Sequence, residues 1–508
     1  MIAKEMMGSG NWVTLTHNGK PYYDKPAFYF WLIALGLKVL GPTEFAVRLP
    51  SALAGSLTVG VVYLWGSIAG GWRLGLWGGI VLITSLEFIA LGRFAKMDML
   101  FGLFFCAGLF YFLWWQRKTS PPSASKEKAQ ETAVQSQAWI WPFYLFLALA
   151  SLTKGPVGVL LPLLVVGLAL GLGKQWTLLR QIGLLKGMVV TALVAGPWYL
   201  LAALHDWEYM RAFLWDHNIL RFFGSQQRIY HSEPTYYFLP VLLAGFLPWS
   251  LFLPLILHHL WEKRGDQGHE ERFFLLVWFG TVFTFFSLSS NKLGTYILPA
   301  FAPLALLTGD FLKQYTEEVE TRPWGKRWLV CATFVWLFFL VSLSPLAEMI
   351  LKPWHPEYLP INVPVFPAAL FILLAALASV LRKENWLPWI VSLSSLWLVL
   401  WFYGEGAPKI SELRSTRSLA RVLSNLQTTS PHRIITTRAE SLAFYLPQKI
   451  QVVRNTSFVK AMLRESVPTV AVVKRRRIGE MRRARFFVWR DDSSAYGLVA
   501  NFPDPTTP

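Results

Sequence analysis

The sequence predicts an α-helical polytopic membrane protein with a small C-terminal α/β domain, on three observations. Of 508 residues, 54% are hydrophobic and 15% are charged, against roughly 25% charged in soluble domains. That excess of apolar side chains cannot be held by one soluble core. Apolar runs of the length that crosses a bilayer as a helix recur between residues 50 and 404. From residue 405 the pattern changes to short alternating strands and amphipathic stretches. A soluble enzyme is therefore excluded. The net charge of +18 would suggest a nucleic-acid partner in a soluble protein; in a membrane protein it reads as charge on loops, and no nucleic acid is expected. Cys106 and Cys331 both lie in apolar runs, which rules out a disulfide framework and a cysteine-based metal site.

Residues 1–49 read as an external loop with an interfacial helix, because the apolar run 27–40 is short for a span and carries Lys38. The transmembrane domain, 50–404, holds twelve candidate spans near 50–70, 74–92, 98–116, 138–153, 156–172, 186–204, 238–260, 272–290, 294–313, 328–347, 365–382 and 386–404. The split between the fourth and fifth falls at Thr153-Lys154-Gly155-Pro156, where a single proline-broken segment is the alternative. One set of alternate short loops carries 17 Lys and Arg and the other 8, so the first set is cytoplasmic and the second external. The tract 117–137 is then a disordered cytoplasmic linker by composition. The tail, 405–508, is external, with strands at 432–438, 449–455, 469–475 and 486–491, and 18 basic against 8 acidic residues. Solvated basic faces or attraction to anionic headgroups both account for that charge. The N-terminus has no signal peptide or anchor, so its external placement calls for a span ahead of Met1 or for insertion led by later helices.

Charged residues on the external side oppose the orientation rule and need another reason. Five clusters qualify. Asn18-Gly19-Lys20-Pro21-Tyr22-Tyr23-Asp24-Lys25 puts an ammonium where a lipid phosphate would lie, although a turn followed by an aromatic anchor is the plainer reading. Arg93 and Asp98 flank the next span, where Asp98 would by default cap a helix. Lys154 sits at the helix break, where a solvated turn is equally good. In the loop 205–237, His217 and Arg221 have carboxylate neighbours suited to a metal or to proton transfer, or to ordinary loop polarity. Lys292 and Tyr296 mark another external span boundary, where tyrosine usually belongs to the aromatic belt. Together these clusters supply the cations, carboxylates and tyrosines that an anionic lipid phosphate would require.

The ordered series IAKEMMGSGNWVT, NGKPYYDKPAFYFW, EFAVRLPSALAG, GRFAKMDM, LTKGPVGVLLPL, GPWYL, GFLPWS and SSNKLGTYILPAFAPLALL resembles the bacterial glycosyltransferases that use polyprenyl-phosphate sugars. It is most similar to the 4-amino-4-deoxy-L-arabinose lipid A transferase group, related to the protein O-mannosyltransferases. The resemblance covers about residues 2–310 and implies a GT-C fold with thirteen spans and a periplasmic site in the bacterial inner membrane. In the family a first span and an Asp-Glu pair precede the Ala3-Lys4-Glu5-Met6 position. A misassigned start or a truncated chain is therefore expected, and a chain truly beginning at Met1 is expected to be inactive or impaired.

By matching position, the resemblance implies Asp98 as a catalytic carboxylate. Lys25, Lys292 and Arg93 would bind the donor phosphate, and Tyr22, Tyr296 and Arg221 would line the site. Asp24 stands where the family usually has Glu; with His217 it leaves a divalent metal as an open option, and no other cofactor is implied. The implied partners are a polyprenyl-phosphate sugar donor and lipid A or another membrane-anchored acceptor. The implied reaction is a single inverting displacement of the carrier phosphate. Transfer of another sugar to protein or lipid, an inactive homologue, and a transporter are the alternatives. A transporter would place charges at the bilayer midplane, often with internal repeats, and neither is found. No residue in the sequence reads out the amino group of the sugar.

Overall fold

The computed structural model describes residues 1–119, 140–220, 233–266, 268–317, 323–351, 364–408, 416–429, 433–436, 442–446, 450–453, 455–474, 477–484, 486–490 and 496–502. The expected linker lies almost wholly outside them. The chain divides into two compact units. One comprises Ile2–Phe338 with Leu370–Leu396; the other comprises Met1, Phe339–Ala369 and Trp397–Pro508.

The first unit is helical. Among the described residues, seven helices are long and apolar enough to cross a membrane, or up to nine if two bent pairs are each one span. The chain is thus a multi-pass membrane protein. Each of the twelve expected spans contains a helix, but several differ from a straight, full-length one. The expected span 74–92 is Trp72–Thr84 and Leu86–Arg93, bent by 67°; Ser85 is extended there and its amide reaches back to Leu82 O. The expected span 238–260 is bent by 103° between Thr235–Gly245 and Trp249–Glu262, at Phe246-Leu247-Pro248, where proline supplies no amide to continue the helix. The helices Trp141–Lys154 and Val157–Leu172 are separate, as the Gly155-Pro156 break predicts. The apolar run 27–40 forms the helix Phe28–Leu40, 13 residues long.

Side-chain size decides which face packs. The helix Leu184–His205 buries Gly187, Thr191, Ala195, Trp198 and Ala202 and exposes Leu185, Leu193 and Leu204 by 71–82%. Small residues permit close helix contact while leucines face hydrocarbon. Gly66 lies against Gly75, and Gly309 against Gly78, so closely that a β-carbon at either would meet backbone at 2.7–2.8 Å.

In the second unit, strands β3 (Arg433–Thr436), β4 (Gln451–Val452), β5 (Thr469–Lys474), β6 (Phe487–Arg490) and β7 (Tyr496–Ala500) form a sheet in the order β4-β3-β5-β7-β6. β3 runs parallel to β4 and β5, and β7 antiparallel to β5 and β6. The four expected strands are present and β7 is additional. Alternation along β5 sends Val470 and Val472 to one core with Leu419, Leu423 and Leu442, and Ala471 and Val473 to another with Val459, Met462 and Met481. Helices therefore cover both faces of this small α/β domain.

Candidate active site

The site is built from helix ends of the first unit. Gly155 adopts φ 115° and ψ −167°, a conformation essentially confined to glycine. It ends the helix Trp141–Lys154 and leaves Lys154 in its last turn. The helix Met97–Thr119 begins beside it, with Asp98 in its first turn. A cation at a helix C-terminus and an anion at an N-terminus both complement the backbone dipoles. Here they also meet: Lys154 Nζ donates to Asp98 Oδ1 at 2.7 Å, with side chains only 7% and 13% exposed. The rings of Tyr296, Phe101 and Phe286 surround the ammonium at 4.6, 4.8 and 5.9 Å from their centroids, each able to contribute a cation–π attraction. Lys154 is thus a buried ion-pair partner, which overturns the solvated-turn reading. Asp98 does more than cap a helix.

An N-terminal hairpin brings in the second set of groups. β1 (Thr16–His17) pairs with β2 (Lys20–Pro21) across Asn18-Gly19, whose φ values of 55° and 71° are those of a tight hairpin turn. Glu5, in the helix Ile2–Ser9, clamps that turn by accepting from Thr16 Oγ1 at 2.8 Å, the Asn18 amide at 2.7 Å and the Gly19 amide at 3.2 Å. Burial works against its charge, but the bonds from Thr16, Gly19 and Asn18, with His17 nearby, prevail and hold its carboxyl below the usual glutamate range. At the far end of the same loop Tyr209 donates its hydroxyl to the Lys25 carbonyl at 2.8 Å. Burial, reinforced by Tyr22, Tyr199, Asp206 and Asp24, pushes that phenol well above the ordinary tyrosine range and keeps it a donor. The loop carrying Asp24 and Lys25 is therefore held at both ends. Lys25 and Lys96 lie within electrostatic reach of Asp98.

The other expected residues fall into place unequally. His217 Nδ1 lies 2.5 Å from Asp24 Oδ1, brought there by the helical turn Ala212–Leu220, whose Phe213 and Asn218 pack on Gly155. Among the described residues no third His, Cys, Asp or Glu joins this pair. The two side chains are in direct contact, as partners of each other, and by themselves are not a metal ligand set. Tyr22 packs edge-on against Phe30, and Tyr296 covers Lys154. Arg93 is exposed at the end of its helix. Lys292, expected to meet the donor phosphate, is buried and donates to the carbonyls of Ser289 at 2.6 Å and Glu233 at 3.0 Å. Its ammonium ties two backbone segments together. Arg221 lies outside the described residues.

At the opposite helix ends, basic residues are paired. Arg117 meets Glu271 at 2.5 Å, Arg73 meets Glu317 at 2.8 Å, and Asp310 accepts from both His259 and Arg272 at 3.2 Å. A cleft of about 880 Å³ opens there, lined by Arg117, Arg272 and Lys313 among others. Its charges are largely satisfied by one another, and it is remote from the Asp98–Lys154 pair.

The family described as dolichyl-phosphate-mannose-protein mannosyltransferase matches residues 24–123, the stretch that contains Asp24, Lys25 and Asp98. An undecaprenyl phosphate-α-4-amino-4-deoxy-L-arabinose arabinosyl transferase of Edwardsiella ictaluri is 32% identical over 70% of this chain and 61% of its own length. The chain is thus similar to glycosyltransferases of the aminoarabinose transferase group. An uncharacterised protein of Aquifex aeolicus is 31% identical over 73% of this chain and 70% of its own length. The fold agrees: the crystal structure of ArnT from Cupriavidus metallidurans in the apo state superposes with a TM-score of 0.77 at 23% identity, covering 99% of this chain and 92% of that one. A second crystal structure of that protein is bound to undecaprenyl phosphate. The chain spans 53–62% of the length of the first arabinosyl transferases it matches. Tyr209 escaped the sequence reading, and Lys154 was singled out there without a role in the site. The lysine stood in view at a Gly-Pro break; nothing in the sequence marked the tyrosine.

Proposed function

We propose that this chain transfers 4-amino-4-deoxy-L-arabinose from undecaprenyl phosphate to lipid A, at the periplasmic face of the bacterial inner membrane. The observation that carries the reading is the buried Asp98–Lys154 pair beside the clamped Asp24-Lys25 loop. The names of the relatives supply the sugar and its carrier.

As the anomeric carbon–phosphate bond breaks, negative charge builds on the leaving phosphate. Lys25, fixed through its carbonyl by Tyr209, is the cation placed to stabilise that charge. Lys154 pairs with Asp98 and points it in one direction, and the carboxylate orients the acceptor. A lipid A phosphate is already an anion, so positioning matters more than proton removal. Asp24 and His217 brace each other beside Lys25.

Mass spectrometry of lipid A from cells with and without the gene tests the assignment. An aminoarabinose mass increment is expected with the wild-type gene and absent with Lys25→Ala. No increment in the presence of the folded wild-type protein would reject the sugar or the acceptor. The name of the matching family keeps a second reading, mannosyl-type transfer to protein, which the same cells would reveal as glycosylated envelope protein.

The clamp gives a further expectation. Tyr209→Phe removes one buried hydrogen bond to the backbone of Lys25, a loss of about 1–2 kcal/mol. It is expected to raise the donor KM about tenfold with little change in kcat. A purely structural role for Tyr209 would lower the melting temperature and leave KM unmoved.

A further inference from the structure

Glu87 lies in the short helix Leu86–Arg93, just beyond the bend at Ser85. Its Oε2 is buried without a hydrogen-bond partner. The space it occupies is made by two glycines. A β-carbon at Gly245 would stand 2.4 Å from Oε2 and 2.8 Å from the Glu87 β-carbon, and one at Gly294 would stand 3.8 Å from Oε1 and 3.9 Å from the Tyr237 hydroxyl. Both glycines sit in motifs that frame the site, GFLPWS and NKLGTY. Two residues past Gly294, Tyr296 covers the Lys154 ammonium. Asp98 and Glu87 are within electrostatic reach of each other. Lys154 answers the charge of Asp98, and no described side chain answers that of Glu87.

A carboxylate in poorly solvated surroundings is costly unless a proton neutralises it or a cation pairs with it. Lys154 is committed to Asp98, and Lys292 to two carbonyls. The missing cation would then come with the substrate. We infer that Glu87 is a specificity-determining residue that receives the ammonium group of a 4-amino sugar on the donor. The inference rests on the proposed transfer from a polyprenyl-phosphate aminosugar, and adds the residue that distinguishes that sugar from its hydroxyl counterpart. An alkylammonium offers three donors and a full charge to Glu87; a hydroxyl offers one donor and no charge. The neutral sugar brings no charge to pair with the carboxylate, so discrimination acts on affinity as well as on turnover. No bond is made or broken at Glu87.

The test uses the full chain in detergent or lipid vesicles, with two synthetic donors: undecaprenyl phosphate carrying 4-amino-4-deoxy-L-arabinose, and the same carrier with L-arabinose. Binding and transfer to lipid A are measured for both. The wild-type protein is expected to prefer the amino donor, and Glu87→Gln to reduce the ratio of the two kcat/KM values about 30- to 1,000-fold. Equal affinity of the wild-type protein for the two donors would overturn the inference, even if Glu87→Gln does not fold. A Glu87→Gln protein that loses both donors equally would overturn it too, since that pattern marks a structural carboxylate. Should the wild-type protein transfer neither sugar, the functional proposal falls, and the binding preference still decides the role of Glu87. Gly245→Ala, which drives a methyl group against Oε2, is expected to reduce the same ratio.

Discussion

Lys154→Met is expected to abolish sugar transfer and to lower the melting temperature, and adding Asp98→Asn to it is expected to restore the stability without the transfer. The pair is buried, its ammonium hydrogen-bonded to Asp98 and ringed by Phe101, Tyr296 and Phe286. Removing one partner of such a pair leaves a charge that neither water nor protein compensates, at a cost of about 3–5 kcal/mol. Removing both charges takes away the desolvation penalty along with the attraction, so the neutral pair is close to even in stability. Activity follows a different rule, because the carboxylate itself is required and the asparagine cannot replace its charge. Asp98→Asn alone is expected to lose both, since it removes the carboxylate and leaves the lysine buried without a counter-charge; the double variant separates the two effects. The measurements are thermal unfolding of the purified protein and transfer in vesicles. Wild-type stability and transfer in Lys154→Met would sink the assignment of this pair as the centre of the site.

Sequence patterns made some of this site legible. The Asn18-Gly19 dipeptide announces a tight turn, and the hairpin is there. Gly155-Pro156 announces a break, and two helices meet at it. Orientation by loop charge gathered Lys25, Asp98 and Lys154 at external span ends, but what each side chain touches was out of reach. A lysine at a helix break looks the same whether water or a carboxylate surrounds it, and the partner of Lys154 is 56 residues away. Lys292 shows a second limit. Its position at a span boundary suggested a phosphate, whereas its nearest acceptors are backbone carbonyls, which have no sequence signature. Glu87 is a single acidic residue in an apolar run, and only the bends at Ser85 and Pro248 bring Gly245 against it. The strand Tyr496–Ala500 was missed because its apolar core is short; its pairing with Thr469–Lys474 defines it.

Gly155→Ala is expected to cost both stability and transfer, and Gly155→Val to cost more. Two effects add at this residue. Its φ of 115° is strained for any side chain, by about 1–3 kcal/mol. A β-carbon would also stand 3.0 Å from the Phe213 ring and 3.1 Å from Asn218 Oδ1. Phe213 is fully buried and can yield only by displacing the turn Ala212–Leu220. That turn carries His217 to Asp24, and the residue before Gly155 is Lys154. Relief of the clash therefore moves both halves of the site. Gly167→Ala in the next helix is the control, since nothing lies within 4 Å of its added methyl group and alanine is the better helix former. Gly167→Ala is expected to match or slightly exceed the wild type in thermal stability, and Gly155→Ala to fall below it with transfer reduced by at least about tenfold. Equal melting temperatures and equal transfer rates for the two variants would show that the break at Gly155 does not position Lys154 and His217.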